Sequence, residues 1–549
     1  MSEVKTKARI LGAELAAPVV DATITVLDAA GSISGELRSD ERGSVSFDNL
    51  PTNGRLRIER DGFVPKELVA AELPSVVRLL EDRLIGYQPR LWFQPGETTP
   101  VYVHSSSEFR ARLYRHGLVK EMVADLGTFA PAVQQAPDCF FVEHGLDWKE
   151  TLSYTIPSTA HPGLFSLLLT AEGEEPFAIP MVVSTPPSAQ GHQARILVLA
   201  STNTWQSYNT WGGRSRYRNF ETDTSADYIS VATPSLITRA RAAFGRRLSP
   251  ALKRSLKERL GVRAHDPEWV HHRLSIKRPY VNCALEEDSP LQPFTNHLAA
   301  GEWRVLAWLE REGFAYDIVS GAELHHDPDL LRHYRAVIFS THCEYWSRAM
   351  YEATRKYHEH SGLWLVNISG NTMFREIDFY EDGSTRCISL SFADSVADET
   401  ELIGVRFNMD DYSTCAPFEI LEPNHWVFGG IPINADRPVF GGSSLNQNTP
   451  RRMTRYDPGR PGVENGLRGV GASGWETDKR SSTAPADMVR VARGMNRPGG
   501  ADMLVREPTG RRGGVFTASS LVFGGALLID TVASMLTRNV LTRAIGDEG

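Results

Sequence analysis

The run Ile196-Leu197-Val198-Leu199-Ala200 contains no polar residue, and Ala336-Val337-Ile338-Phe339 repeats the pattern. A strand that is apolar at every position has to be covered on both faces, which calls for parallel strands with crossover helices above and below. The intervening segments supply such helices. Glu302 to Glu312 places Trp303, Leu306 and Leu309 on one face, and Ser347 to His360 follows the second run. Tyr316-Asp317-Ile318-Val319 and Gly362-Leu363-Trp364-Leu365-Val366-Asn367 add two further strands. This alternation predicts a mostly parallel, doubly wound α/β domain over residues 194–549. Within it, Glu323 to Asp327 reads as a polar connection. Residues 400–515, rich in Gly, Pro, Asn and Arg, read as long loops over the sheet edge. An insertion between Arg214 and Lys277 includes a basic, helix-like part, Arg239 to Arg263, read as a solvated face. Leu527 to Ala544 is expected to be a helix packed on the sheet.

A chain of 549 residues exceeds one hydrophobic core, and the front of the sequence has a different texture. Ala22 to Leu27, Gly43 to Phe47 and Leu56 to Glu59 are short β-branched strands between Asp/Gly/Pro turns, so residues 1–82 are expected to form a small β-domain. VVDATITVLDAAGS, GSVSFDNLP and LRIERDGF resemble the transthyretin-like or carboxypeptidase-regulatory-like sandwich. A second β-domain, immunoglobulin-like, is expected over residues 84–186 from Val101-Tyr102-Val103, Glu150 to Tyr154 and Leu164 to Thr170. The first reads as a packing or assembly module rather than a carbohydrate or partner contact, since it gathers no titratable groups.

The net charge of −8, spread through the chain, argues against a general nucleic-acid binder. No stretch approaches the length of a membrane span, and the start carries no signal-peptide pattern. Five scattered cysteines without a CxxC pair suit free thiols in a reducing cytoplasm.

Ser340-Thr341-His342-Cys343-Glu344-Tyr345-Trp346 lies where the second apolar run ends and a helix begins. In open α/β sheets this carboxyl edge is where ligands and catalytic groups collect. Three readings are open: Cys343 as a nucleophile in a hydrolase or amidotransferase, His342 and Glu344 as metal ligands on one side of an extended segment, or polar groups that satisfy a buried loop. A protein that binds or assembles on the same core without catalysis is a further alternative.

Four other stretches share this domain: NTWQSYNTWGG from Asn203, KRPY from Lys277, NISGN from Asn367 and GWETDK from Gly474. Together with THCEYWS they resemble the large, catalytic subunit of N,N-dimethylformamidase and its relatives, over roughly residues 195 to 540. The resemblance implies a glutamine-amidotransferase-like core and a mononuclear ferric iron held by two tyrosines and a carboxylate. It implies hydrolysis of the C–N bond of a small substituted amide. Carried onto this sequence, the ligands would be Tyr208, Tyr280 and Glu344, with Tyr217 the competitor of Tyr208. His342, Asn371 and Glu476 would stand around the metal as catalytic groups, and Trp205, Trp211, Phe374 and Trp475 would form an apolar wall. Cys343 departs from the proline common at that position. The resemblance also implies a homo-oligomer, without assuming a separate small subunit.

Overall fold

The structure, a computed structural model, describes residues 6–48, 50, 53–139, 141–184, 194–220, 268–283, 285, 288–291, 297–389, 398–447, 469–497 and 499–546. The basic stretch Arg239 to Arg263 lies outside them. The protein is rich in β-structure, distributed over several sheets, with few long helices.

The front of the chain pairs sheets face to face. A three-stranded and a four-stranded sheet enclose Ile10, Ile24, Phe47, Leu56, Ile58 and Val77 in one core. Next come a five-stranded and a three-stranded sheet around Val101, Val103, Leu113, Phe165, Leu167 and Ile179. In Arg55–Glu59 and in the first half of Phe109–His116 buried residues alternate with more exposed ones, as a half-covered antiparallel strand requires.

The largest sheet has nine strands. In chain order they are β1 (Ile196–Ala200), β2 (Tyr316–Ser320), β3 (Ala336–Thr341), β4 (Trp364–Ser369), β5 (Phe418–Ile420), β6 (Val439–Phe440), β7 (Val489–Gly494), β8 (Asp502–Arg506) and β9 (Val515–Thr517). Across the sheet the order is β2-β1-β3-β4-β9-β8-β7-β5-β6. The first five are mutually parallel, and the remaining pairings are antiparallel. Helices α1 (Thr202–Tyr208), α2 (Ala299–Arg311), α3 (Gly321–His326), α4 (Arg348–Ser361) and α5 (Thr531–Ile545) belong to this part of the chain. Alternate residues of the parallel strands face two different cores. Val198, Ile318, Ile338 and Val366 meet α2 and α5; Leu199, Val319, Phe339 and Leu365 meet α4. That double coverage is why these runs contain no polar position.

Two expectations fail here. The sheet is not mostly parallel: residues 400–515, read as loops, contribute four of its strands. These strands are two to six residues long and separated by Gly- and Pro-rich turns, so the alternation that identifies a strand has no length over which to show. Glu323 to Asp327 is largely the helix α3. Ser320 caps it, accepting from the Glu323 amide, while the Glu323 carboxylate accepts from the Ser320 amide.

Candidate functional site

The carboxyl edge of β1, β3 and β4 carries the site, and short-range bonding explains how each group reaches it. Thr341, the last residue of β3, has φ of 57°, unusual for a β-branched side chain, and turns the chain out of the sheet. The Gly370 amide then donates to the Thr341 carbonyl, the Cys343 amide to Ser369 Oγ, and the Phe374 and Arg375 amides to the Glu344 carbonyl. The segment holding His342 and Glu344 is thereby zipped to the one holding Asn371 and Arg375. Asn371, Met373 and Trp475 also have positive φ, so four of the eight such non-glycine residues described surround this site. Strained backbone of this kind clusters where function fixes geometry.

Glu476 arrives from the antiparallel side of the sheet. Its segment lies so close to the end of β4 that a Cβ on Gly370 would collide with the Glu476 carbonyl oxygen and the Leu521 amide. The Asn371 amide donates to Asp478 Oδ1 at 2.8 Å, and Asn371 Nδ2 donates to Glu476 Oε2 at 3.0 Å. Two acids two residues apart therefore clamp Asn371, one through its backbone and one through its side chain.

Tyr208 ends α1, directly after β1. The chain then reverses through Gly212 and Gly213, both at positive φ. The Arg216 amide donates to the Ser207 carbonyl, which lays Tyr217 against Tyr208 with ring centroids 4.2 Å apart. Tyr217 donates to Glu344 Oε2 at 2.6 Å and receives a bond from the Tyr345 hydroxyl at 2.9 Å. Arg375 Nε donates to the other oxygen, Glu344 Oε1, at 2.8 Å. His342 Nε2 lies 3.3 Å from Glu344 Oε2 and 3.2 Å from Glu476 Oε2. His297, from the segment before α2, packs its ring on Tyr208, His342 and Trp475.

These groups line a cavity of about 230 Å³ that also includes Arg216, Phe374, Phe407, Met409 and Tyr412. Burial opposes charge on His342, but Glu476 and Glu344 overcome it and push its pKa up to about 10. Burial would raise Glu344, yet His342 and Arg375 hold its carboxyl below the usual range. Burial, together with the Glu344 charge, drives the Tyr208 and Tyr217 hydroxyls well above their ordinary value.

Of the residues selected from sequence, Tyr208, Glu344, Asn371, Glu476, Phe374 and Trp475 line this cavity, and His342 touches both carboxylates at it. Tyr280 is not among the lining residues. Asn209 Nδ2 donates to the Pro279 carbonyl and Arg278 is buried against the carbonyls of Ser275 and Trp211, which pins this segment beneath the loop after α1. The Tyr280 ring falls into the core with Trp205 and Leu285. Tyr217, the competitor named for Tyr208, stands beside it, and both line the cavity. Trp205 and Trp211 are core residues as well: Trp205 donates to Glu302, and Trp211 packs on Phe141 and Trp148 of the front β-region. Arg216, His297 and Arg375 were not anticipated. Arg375 had a readable signal, as the first charge after the NISGN stretch; His297 had none.

Glu302 of α2 supports the site from below. It is buried, accepts from the Trp205 indole at 2.8 Å and the Ser201 amide at 3.1 Å, and so fixes the start of α1. Burial raises its pKa from the ordinary 4.5 to about 7. A raised folded-state value means that its contribution to stability is complete below about 4.5 and is lost as pH rises through about 7. Glu302→Gln is therefore expected to flatten the dependence of melting temperature on pH across that window, as calorimetry would read. Asp478, raised by burial to about 7, leaves part of the slope in place.

Among the described residues no group of three or more His, Cys, Asp or Glu side chains is arranged to hold a metal ion. A cation here would need the phenols. Tyr208, Tyr217 and Glu344 bring three hard oxygen donors together, the type suited to a trivalent ion. Arg375 occupies one Glu344 oxygen and leaves the other facing Tyr217 and His342. The buried Asn371 Oδ1 and His342 Nδ1 have no hydrogen-bond partner. The residues fit such a group.

Acid, imidazole and phenol side chains thus meet in one pocket at the carboxyl edge of the parallel strands. The chain belongs to the family described as N,N-dimethylformamidase beta subunit-like, C-terminal, whose family model matches residues 110–534. That description names a beta subunit, whereas the motifs resemble the large subunit; the match establishes the dimethylformamidase family. No curated protein matches the chain. Among solved structures, similarity extends to the alpha-2-macroglobulin of E. coli, at 13% identity, 33% of this chain, 12% of that chain and a TM-score of 0.14. A Salmonella alpha-2-macroglobulin mutant is matched at 16% identity, 31% and 11% coverage and a TM-score of 0.13. A DUF3823 family protein from Parabacteroides merdae is matched at 16% identity, 33% and 96% coverage and a TM-score of 0.13. Likeness at this level carries no functional argument. No described helix is long and apolar enough to cross a membrane, and all five cysteines are free thiols.

Proposed function

We propose that this protein is a metal-dependent hydrolase of the C–N bond of a substituted amide, related to the catalytic subunit of dimethylformamidase. The reading adds that the parallel half of the nine-stranded sheet is a glutamine-amidotransferase-like core. The observation that carries it is the convergence of Tyr208, Tyr217 and Glu344 with His342, Asn371 and Glu476 on one cavity. Tyr208, Tyr217 and Glu344 would hold a mononuclear ferric ion, Tyr217 taking the role first assigned to Tyr280. When bound, the ion supplies Lewis acidity to the amide carbonyl and to a water molecule. Without a cation, burial keeps both phenols protonated, so loading the site releases their protons.

The remaining groups handle protons and orientation. Glu476 accepts the proton of the attacking water as the new C–O bond forms, and delivers it to nitrogen as the C–N bond breaks. Asn371 Nδ2 holds the Glu476 oxygen that performs this transfer. His342 offers an N–H donor to the developing oxyanion, between the two carboxylates that keep it protonated. Trp475, Phe374 and Phe407 exclude water around the amide substituents.

The rival use of Cys343 fits less well. The thiol packs with Leu199, Phe339 and Trp346, and burial pushes its pKa up to about 12, the reverse of an activated nucleophile.

Metal analysis with a visible spectrum tests the ligand set. Phenolate bound to ferric iron gives a charge-transfer band; Tyr217→Phe is expected to remove or strongly shift it, while Tyr280→Phe leaves it in place. The opposite pattern would return Tyr280 to the ligand set, and protein that is colourless and metal-free yet active would end the iron reading.

A further inference from the structure

We propose that the substrate amide carries a carboxylate-type anion at a distance from the scissile bond, seated against Arg375 with Arg216 beside it. The amide part of this statement rests on the proposed function; the anion site does not.

Arg375 lines the cavity and spends only its Nε on Glu344. Its Nη1 and Nη2 donate no hydrogen bond to any described residue, although the guanidinium lies over the rings of Tyr217 and Phe374, at 5.6 and 5.8 Å. A planar fork with both outer nitrogens unused is the geometry that receives a carboxylate or sulfonate through two parallel bonds. Arg216 lines the same cavity. Its nitrogens donate to the carbonyls of Val270, His272 and Thr385, so it is rigidly held, and no described carboxylate pairs with it. A buried charge without a counter-ion costs free energy that an incoming anion would recover.

The acids in the cavity do not answer that demand. They form a chain in which Arg375 meets Glu344 Oε1, Glu344 Oε2 meets His342, and His342 meets Glu476. Glu476 is thus separated from Arg375 by the His342 ring and by the Glu344 carboxylate, which also accepts from Tyr217. Phe374 and Phe407, edge to face at 5.8 Å, provide an apolar wall next to the arginine. An amide with an apolar arm ending in an anion matches this order of surfaces. A small neutral amide would leave the arginine fork without an acceptor inside a part-buried site, at a cost that works against its binding.

Titration calorimetry on the full-length protein, with benzenesulfonate against methyl phenyl sulfone, tests this directly. The two probes share ring and sulfonyl group and differ in charge, and a sulfonate is too weak a ligand for its binding to report on a metal. The sulfonate is expected to bind about tenfold tighter at low ionic strength, with the ratio shrinking as salt is raised to about 0.5 M. Arg375→Met is expected to bring the ratio close to one, and Arg375→Lys, which keeps the charge but not the fork, to leave an intermediate ratio. Equal affinities in the native protein, failure of both probes to bind, or a native-like ratio in either variant would overturn the proposal. None of these results depends on turnover. Loss of amide hydrolysis with the sulfonate preference intact would instead count against the catalytic reading alone.

Discussion

Glu344→Gln is expected to remove bound metal and amide hydrolysis together, lowering kcat/KM by about three orders of magnitude, the upper range for losing one preorganised electrostatic group. Glu344 is 1% exposed and is the junction of Tyr217, Arg375 and His342. The amide preserves its volume but presents no charge to either cation and offers a metal a neutral donor. Breaking a buried pair from one side leaves the other charge uncompensated, typically at about 3–5 kcal/mol, so the melting temperature should also fall. Metal content, melting temperature and kcat/KM measured on one preparation separate the effects. A variant that keeps its full metal content would remove Glu344 from the ligand set.

Glu476→Gln should behave differently. The carbonyl of glutamine can still accept from Asn371, so the clamp around Asn371 is expected to persist, but the side chain no longer takes a proton from water. Turnover is expected to fall by about 10²–10⁴, the usual contribution of a positioned general base, with metal content unchanged and KM little affected. The reading is a split between kcat and metal stoichiometry. If the substitution releases the metal, Glu476 is a ligand and the proton-transfer role belongs elsewhere.

What the sequence revealed depended on the physical strength of each signal. The parallel half of the sheet was legible because strands covered on both faces show unbroken apolar runs, as in Ile196–Ala200. The antiparallel half was not, because two- to six-residue strands set between turns carry too short a pattern. Position at the end of such a run marked the segment of His342, Cys343 and Glu344 without choosing among them; the family resemblance singled out Glu344. Asn371 and Glu476 were legible through family resemblance but not through spacing, since more than a hundred positions separate residues that meet at 3.0 Å. Which way Tyr280 faces was not legible, because a Tyr beside a buried arginine looks the same in sequence whichever way its segment is pinned; its ring packs with Trp205 and Leu285. The backbone reversal from Gly212 to Arg216, which turns Tyr217 inward, depends on a bond from the Arg216 amide to the Ser207 carbonyl that no residue type announces. Arg216 and Arg375 went unnoticed because an arginine is ordinarily solvated.

The cavity draws its parts from separate stretches of chain. Tyr208, Tyr217 and Glu344 come from around β1 and β3, whereas Phe407, Met409 and Tyr412 come from the excursion between β4 and β5. Phe407 and Met409 are apolar and take no part in the chain of contacts that joins Arg375, Glu344, His342 and Glu476. Selection could therefore rewrite what enters this pocket while leaving what reacts untouched, and diversification of substrate within such a family should be concentrated in a short window around residue 410.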